Sequence, residues 1–83
     1  MKAYPGELYA IKTENMYALL KALSAYDKTI NSYAFGEYAH ASFHDDANEN
    51  SITDFLRMKG FNEIEVKKTE PTIEDCFIQL LKR

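Results

Sequence analysis

Two clusters in this 83-residue chain carry side chains that chemistry uses. The first is His40 and His44, followed by Asp45 and Asp46. Imidazole and carboxylate are metal ligands, but the spacing speaks against a shared ion. Four residues along a strand span about 13 Å at roughly 3.3 Å per residue, and two histidines that far apart cannot share a zinc at bonds near ~2 Å. The second cluster is Glu74-Asp75-Cys76. A helix N-terminus lowers a thiol's pKa and can make it a nucleophile. Here two adjacent acids act in the opposite direction, and Cys76 falls on an apolar stripe beside Phe77, so a buried structural cysteine is expected. The carboxylate runs at Asp45-Asp46 and Glu74-Asp75 read as a solvated loop and a helix start. The sequence has no Gly-rich phosphate loop, no Gly-x-Ser-x-Gly and no helical His pair. No catalytic, metal or cofactor-binding residue is assigned, and the chain by itself is expected not to be an enzyme.

The elements that must position these residues follow from periodicity. Met1–Gly6 reads as a lead-in with a turn at Pro5-Gly6. Glu7–Glu14 reads as a strand with apolar groups on both faces, hence central in a sheet. Asn15 caps a helix whose stripe is Met16, Leu19, Leu20 and Leu23. Ile30–Phe35 and Tyr38–His44 read as a hairpin joined by Gly36-Glu37. In its second strand Ala39, Ala41 and Phe43 face one way, and Tyr38, His40, Ser42 and His44 the other. The polar loop 45–50 leads to a second helix, capped by Asn48, Asn50 or Ser51. Its stripe is Ile52, Phe55, Leu56 and the stem of Lys59, and Gly60 is its left-handed stop. Phe61 packs at the corner. Glu63–Thr69 reads as a strand with Ile64 and Val66 inward and Glu63, Glu65 and Lys67 outward, which suits a charged edge.

The last stretch is a helix start written out in residues. Pro71 ends the extended run, Thr72 caps through its hydroxyl, and Glu74 and Asp75 meet the positive end of the helix dipole. Ile73, Cys76, Phe77 and Leu80 form an apolar stripe. So short a helix cannot stand alone in water, and the stripe is expected to dock on the preceding residues. The order is β-α-β-β-α-β-α. The class is therefore α+β: a ferredoxin-like β-α-β-β-α-β sandwich on a four-stranded antiparallel sheet, with an added C-terminal helix.

The totals set limits. Hydrophobic residues make up 46%, enough for a core in a single small domain over residues 1–83. A net charge of −3 argues against nucleic acid or an anionic membrane as the main partner. Phe35-Gly36-Glu37-Tyr38 and Phe43 faintly echo an RNA-recognition motif. The glycine, however, sits in a turn, and no Lys or Arg lies between Thr29 and Ile52. One cysteine excludes an internal disulfide. No apolar run approaches the roughly 20 residues that cross a bilayer, and Lys2 is followed by Ala-Tyr-Pro-Gly instead of a signal sequence. The chain reads as intracellular and soluble, either complete or cut from a larger protein.

The segment Glu70-Pro71-Thr72-Ile73-Glu74-Asp75-Cys76-Phe77 resembles the Glu-Pro-Ser-Leu-Glu-Asp-Val-Phe ending of many ATP-binding subunits of bacterial ABC exporters of the drug- and sodium-efflux type. Phe35-Gly36-Glu37-Tyr38-Ala39-His40 is similar to a hairpin in one multidrug-efflux branch, and the order of elements resembles the family's C-terminal accessory domain. Thr72 for Ser, Ile73 for Leu and Cys76 for Val keep the cap, the apolar anchor and a small group. The resemblance implies a non-catalytic piece of an ABC ATPase, excised from after the nucleotide-binding domain. Walker A, Walker B and signature motifs have no counterpart here, so ATP and Mg would belong to the parent. The implied partners are the nucleotide-binding domain of its own or a partner subunit, whose dimerisation it would modulate, and indirectly the membrane permease. The implied location is cytoplasmic, peripheral on the inner face of the cell membrane. Tyr38, His40 and His44 lie on a face neither plainly solvated nor plainly core, and are the candidate interaction surface. Pro71, Thr72, Ile73, Glu74, Asp75 and Phe77 form the structural motif. The other readings are a small-ligand sensor and a dimerisation module that self-associates weakly.

Overall fold

A computed structural model describes residues 6–44 and 46–81. The elements are β1 (Glu7–Lys12), α1 (Met16–Ala25), β2 (Thr29–Phe35), β3 (Tyr38–Phe43), α2 (Glu49–Met58), β4 (Glu65–Lys68) and α3 (Ile73–Leu81). The sheet order is β2-β3-β1-β4, with every neighbouring pair antiparallel. The chain is thus a small α+β domain with a four-stranded antiparallel sheet and, among the described residues, three helices. β1 is central and β4 an edge, as the residue patterns predict. Of the expected lead-in turn, Pro5 lies outside the described residues, and Gly6 has a left-handed φ of 74°.

Alternation along the strands separates the two faces. Tyr9 and Ile11 of β1 and Ala39, Ala41 and Phe43 of β3 form one buried cluster with Leu19 and Leu23 of α1, Ile52 and Leu56 of α2, and Phe61. Both helices therefore cover the same face. Local chemistry starts and stops them. The Asn15 side chain accepts from the Ala18 N–H, and Asn48 with Ser51 makes a reciprocal capping box. Gly60, at φ 100°, ends α2. Gly36, at φ 65°, makes the two-residue hairpin turn.

β1 and β4 are shorter than the residue patterns suggest, and where Glu14 meets Glu63 a side chain takes the ladder's donors. The Glu14 carboxylate accepts from the backbone N–H groups of Asn62 (3.2 Å) and Glu63 (3.1 Å). Those donors are satisfied by a side chain, so no ladder forms there.

Candidate functional site

The second face of the sheet carries Asn31, Tyr33 and Phe35 of β2 and Tyr38, His40 and Ser42 of β3. Tyr33 and His40 are cross-strand partners, as are Asn31 and Ser42, and such partners share a face. Here α3 docks. Thr72 caps it as expected: the Thr72 hydroxyl accepts from the Asp75 N–H at 3.2 Å, and the Asp75 Oδ2 accepts from the Thr72 N–H at 2.8 Å. This reciprocal box leaves Oδ1 free to face the sheet. It accepts from the Tyr33 hydroxyl at 2.5 Å and stands 2.6 Å from His40 Nδ1. One turn on, Gln79 Oε1 accepts from Asn31 Nδ2 at 3.0 Å. Asp75 and Gln79 are i and i+4, so they lie on one side of the helix.

Asp75 is fully buried. Burial pushes its carboxyl up, but donors from the Thr72 backbone, Tyr33, His40 and the Thr72 hydroxyl outweigh that and hold it below the ordinary 3.8. An ionised carboxylate only accepts, so His40 Nδ1 carries the proton of that bond. The group is then a buried charge met by donors on both oxygens, which is the condition for keeping one inside a protein.

This arrangement corrects the expected docking of α3. Ile73, Phe77 and Leu80 do not face the sheet: they are 86%, 60% and 59% exposed, and Leu81 is exposed with them. Cys76 is half-buried with a free thiol. The physical reason lies beneath the helix. The sheet offers hydroxyl, imidazole and amide donors that need acceptors once covered, and Asp75 and Gln79 supply them. The apolar side is left facing out. Asp75, read above as part of a helix start, is the anchor. Periodicity could not find it; the Thr-x-x-Asp spacing of a capping box was the available signal.

The candidate interaction residues part company. His40 is buried beneath α3 and stacked on Phe35, with ring centroids 4.2 Å apart. Tyr38 is half-buried and held in place: its hydroxyl donates to Glu65 at 2.7 Å, and the Lys67 Nζ lies 4.9 Å from its ring centre. His44 is exposed beyond the end of β3. Of the motif residues, Pro71, Thr72, Ile73, Glu74 and Phe77 are exposed and only Asp75 is buried. Phe35 and Phe43 lie on opposite faces, so they make no common aromatic platform for bases.

His40, Asp75 and Ser42 do not form a nucleophile–base relay. Ser42 Oγ is buried and makes no hydrogen bond to the protein among the described residues, whereas a relay needs the nucleophile bonded to its base. No group of three His, Cys, Asp or Glu side chains gathers at metal-binding distance among the described residues. An open depression of about 350 Å³ beside the end of β1 is lined by Lys12, Thr13, Glu63, Ile64 and Glu65. No described helix is long and apolar enough to cross a membrane. What the geometry builds is a helix held down by its polar side, with its apolar side presented outward. No family model, no curated protein and no solved structure matches the chain.

Proposed function

We propose that this chain is a non-catalytic accessory domain that docks on the nucleotide-binding domain of an ABC exporter of the efflux type and modulates pairing of two such domains. The observation that carries the reading is the outward stripe of Ile73, Phe77, Leu80 and Leu81 on α3. Ile73 and Phe77 of this stripe lie in the segment that resembles the exporter ending. An exposed contiguous apolar surface on a small domain is the usual mark of a protein contact. Each such side chain, fully buried, contributes roughly 1.5–3 kcal/mol of transfer free energy. Part of that is offset by the cost of association. Asp75 has a mechanical part in this reading: by anchoring the polar side it orients the apolar side toward the partner.

The ferredoxin-like class belongs to the same proposal. The β-α-β-β-α-β order and the strand order β2-β3-β1-β4 support it. The domain would be a piece of the ATP-binding subunit. It would lie at the cytoplasmic side of the membrane beside the permease, with ATP and Mg held by the parent.

The test is a proton–nitrogen NMR titration of the 83-residue chain with an ABC exporter nucleotide-binding domain, with and without ATP. Shifts gathered on Ile73, Phe77, Leu80 and Leu81, and lost in Phe77→Asp, are expected. Absence of shifts in both nucleotide states would overturn the reading.

A further inference from the structure

Two rungs of the sheet lie beneath α3. Tyr33 of β2 is paired with His40 of β3, and Asn31 with Ser42. Each rung turns two polar side chains to the same face. Their placement does not come from α3. Strand pairing fixes Tyr33 beside His40, and the His40 ring stacks on Phe35 with centroids 4.2 Å apart.

The helix meets the two rungs unequally. On the first, the Asp75 carboxylate accepts from the Tyr33 hydroxyl at 2.5 Å and stands 2.6 Å from His40 Nδ1. On the second, Gln79 Oε1 accepts from Asn31 Nδ2 at 3.0 Å. Ser42 Oγ is buried there and makes no hydrogen bond to the protein among the described residues. Buried hydroxyls are ordinarily paired, so the single carboxamide oxygen of Gln79 leaves this rung one acceptor short. A carboxylate in its place, with two oxygens, would accept from Asn31 and Ser42 together.

We infer that the face beneath α3 is a binding site for a small dicarboxylate, covered in this structure by Asp75 and Gln79 standing where its two acid groups go. The spacing fixes the length of the ligand. Asp75 and Gln79 are four residues apart, about 6 Å along a helix axis. Tyr33 and Asn31 are two residues apart, about 6.8 Å along a strand. Adipate joins its carboxyl carbons by five C–C bonds of about 1.5 Å and reaches that spacing when extended.

The cover can lift without breaking the sheet. The last ladder contact before it is the Thr69 N–H donating to the Leu8 carbonyl at 3.0 Å. Glu70, Pro71 and Thr72 then run exposed into the helix. The site does not rest on the exporter reading, because it is measured on the chain alone.

Adipate is the probe, used on the full chain and on Asp75→Ala. In Asp75→Ala it should shift the side-chain signals of Tyr33, His40 and Asn31 saturably and so give its Kd. Hexanoate, with one carboxylate, should bind about tenfold more weakly, the loss of one charge-assisted pair. In the parent chain the ligand takes only the lifted state. Amide exchange over residues 77–81 should therefore quicken by one plus the ratio of adipate to its Kd, about tenfold at nine times Kd. Sodium chloride at equal ionic strength should leave it unchanged. A helix that merely anchors would show no such quickening, and unchanged exchange in adipate overturns the inference. So does an Asp75→Ala chain without saturable shifts, hexanoate binding as tight as adipate, or an equal quickening in sodium chloride.

Discussion

His40 Nδ1 and Asp75 Oδ1 lie 2.6 Å apart, and this one contact joins the middle of the sheet to a helix that begins 33 residues after His40. With the Tyr33 hydroxyl on the same oxygen, it is the buried polar anchor of α3. The helix turns its apolar side to solvent because its polar side is engaged below.

Removing the carboxylate leaves its donors without an acceptor. Asp75→Ala should destabilise the docked helix by about 3 kcal/mol, the scale for breaking a buried pair from one side. Amide exchange is the discriminating measurement. Protection should fall across α3 and persist in β1 and β3. Uniform loss across the sheet would show that the anchor is global.

Acid should release the same helix. The Asp75 carboxyl sits below its ordinary 3.8 in the folded chain, so the unfolded chain binds that proton more readily. The stabilisation is complete above the ordinary value and is lost as pH falls through the lowered one. Urea midpoints measured from about pH 5 downward should decline in the parent chain, and decline less steeply in Asp75→Asn. Equal slopes would dismiss Asp75 as the group responsible.

Two phenylalanines should answer oppositely to the same change. Phe43 is fully buried and Phe77 is 60% exposed. Phe43→Ala should cost about 3–5 kcal/mol. Phe77→Ala should stay within about 0.5 kcal/mol while weakening binding to a partner. Thermal melts of both variants decide this, and a large loss in Phe77→Ala would mean that the stripe is already buried.

Glycines at two turns should differ in cost. Gly60 has a left-handed φ with open space where a Cβ would sit, so Gly60→Ala should lose about 1–2 kcal/mol from backbone strain alone. At Gly6 a Cβ would lie 2.5 Å from the Phe43 carbonyl oxygen, which is backbone and cannot step aside. Gly6→Ala should therefore be the worse of the two in chemical denaturation, and the reverse order would contradict the close approach.

Much of this fold was legible because its determinants are local. Asn15 and Asn48 carry caps, Gly36 and Gly60 take left-handed turns, and the alternation of Ala39, Ala41 and Phe43 against Tyr38, His40 and Ser42 assigns two faces. Each signal acts over a few residues. Periodicity says that a helix has an apolar side, and for α1 and α2 that side meets the core. For α3 it does not, because what a helix buries depends on the surface it meets. That surface is built by β2 and β3, some forty residues earlier, from Tyr33, His40 and Asn31. Donors there need acceptors once covered, at about 1–3 kcal/mol for each left unmet, and Asp75 and Gln79 meet them. The sequence alone determined that α3 exists, where it starts and which of its residues are apolar. Only the tertiary structure decided that Asp75 goes in and Phe77 stays out.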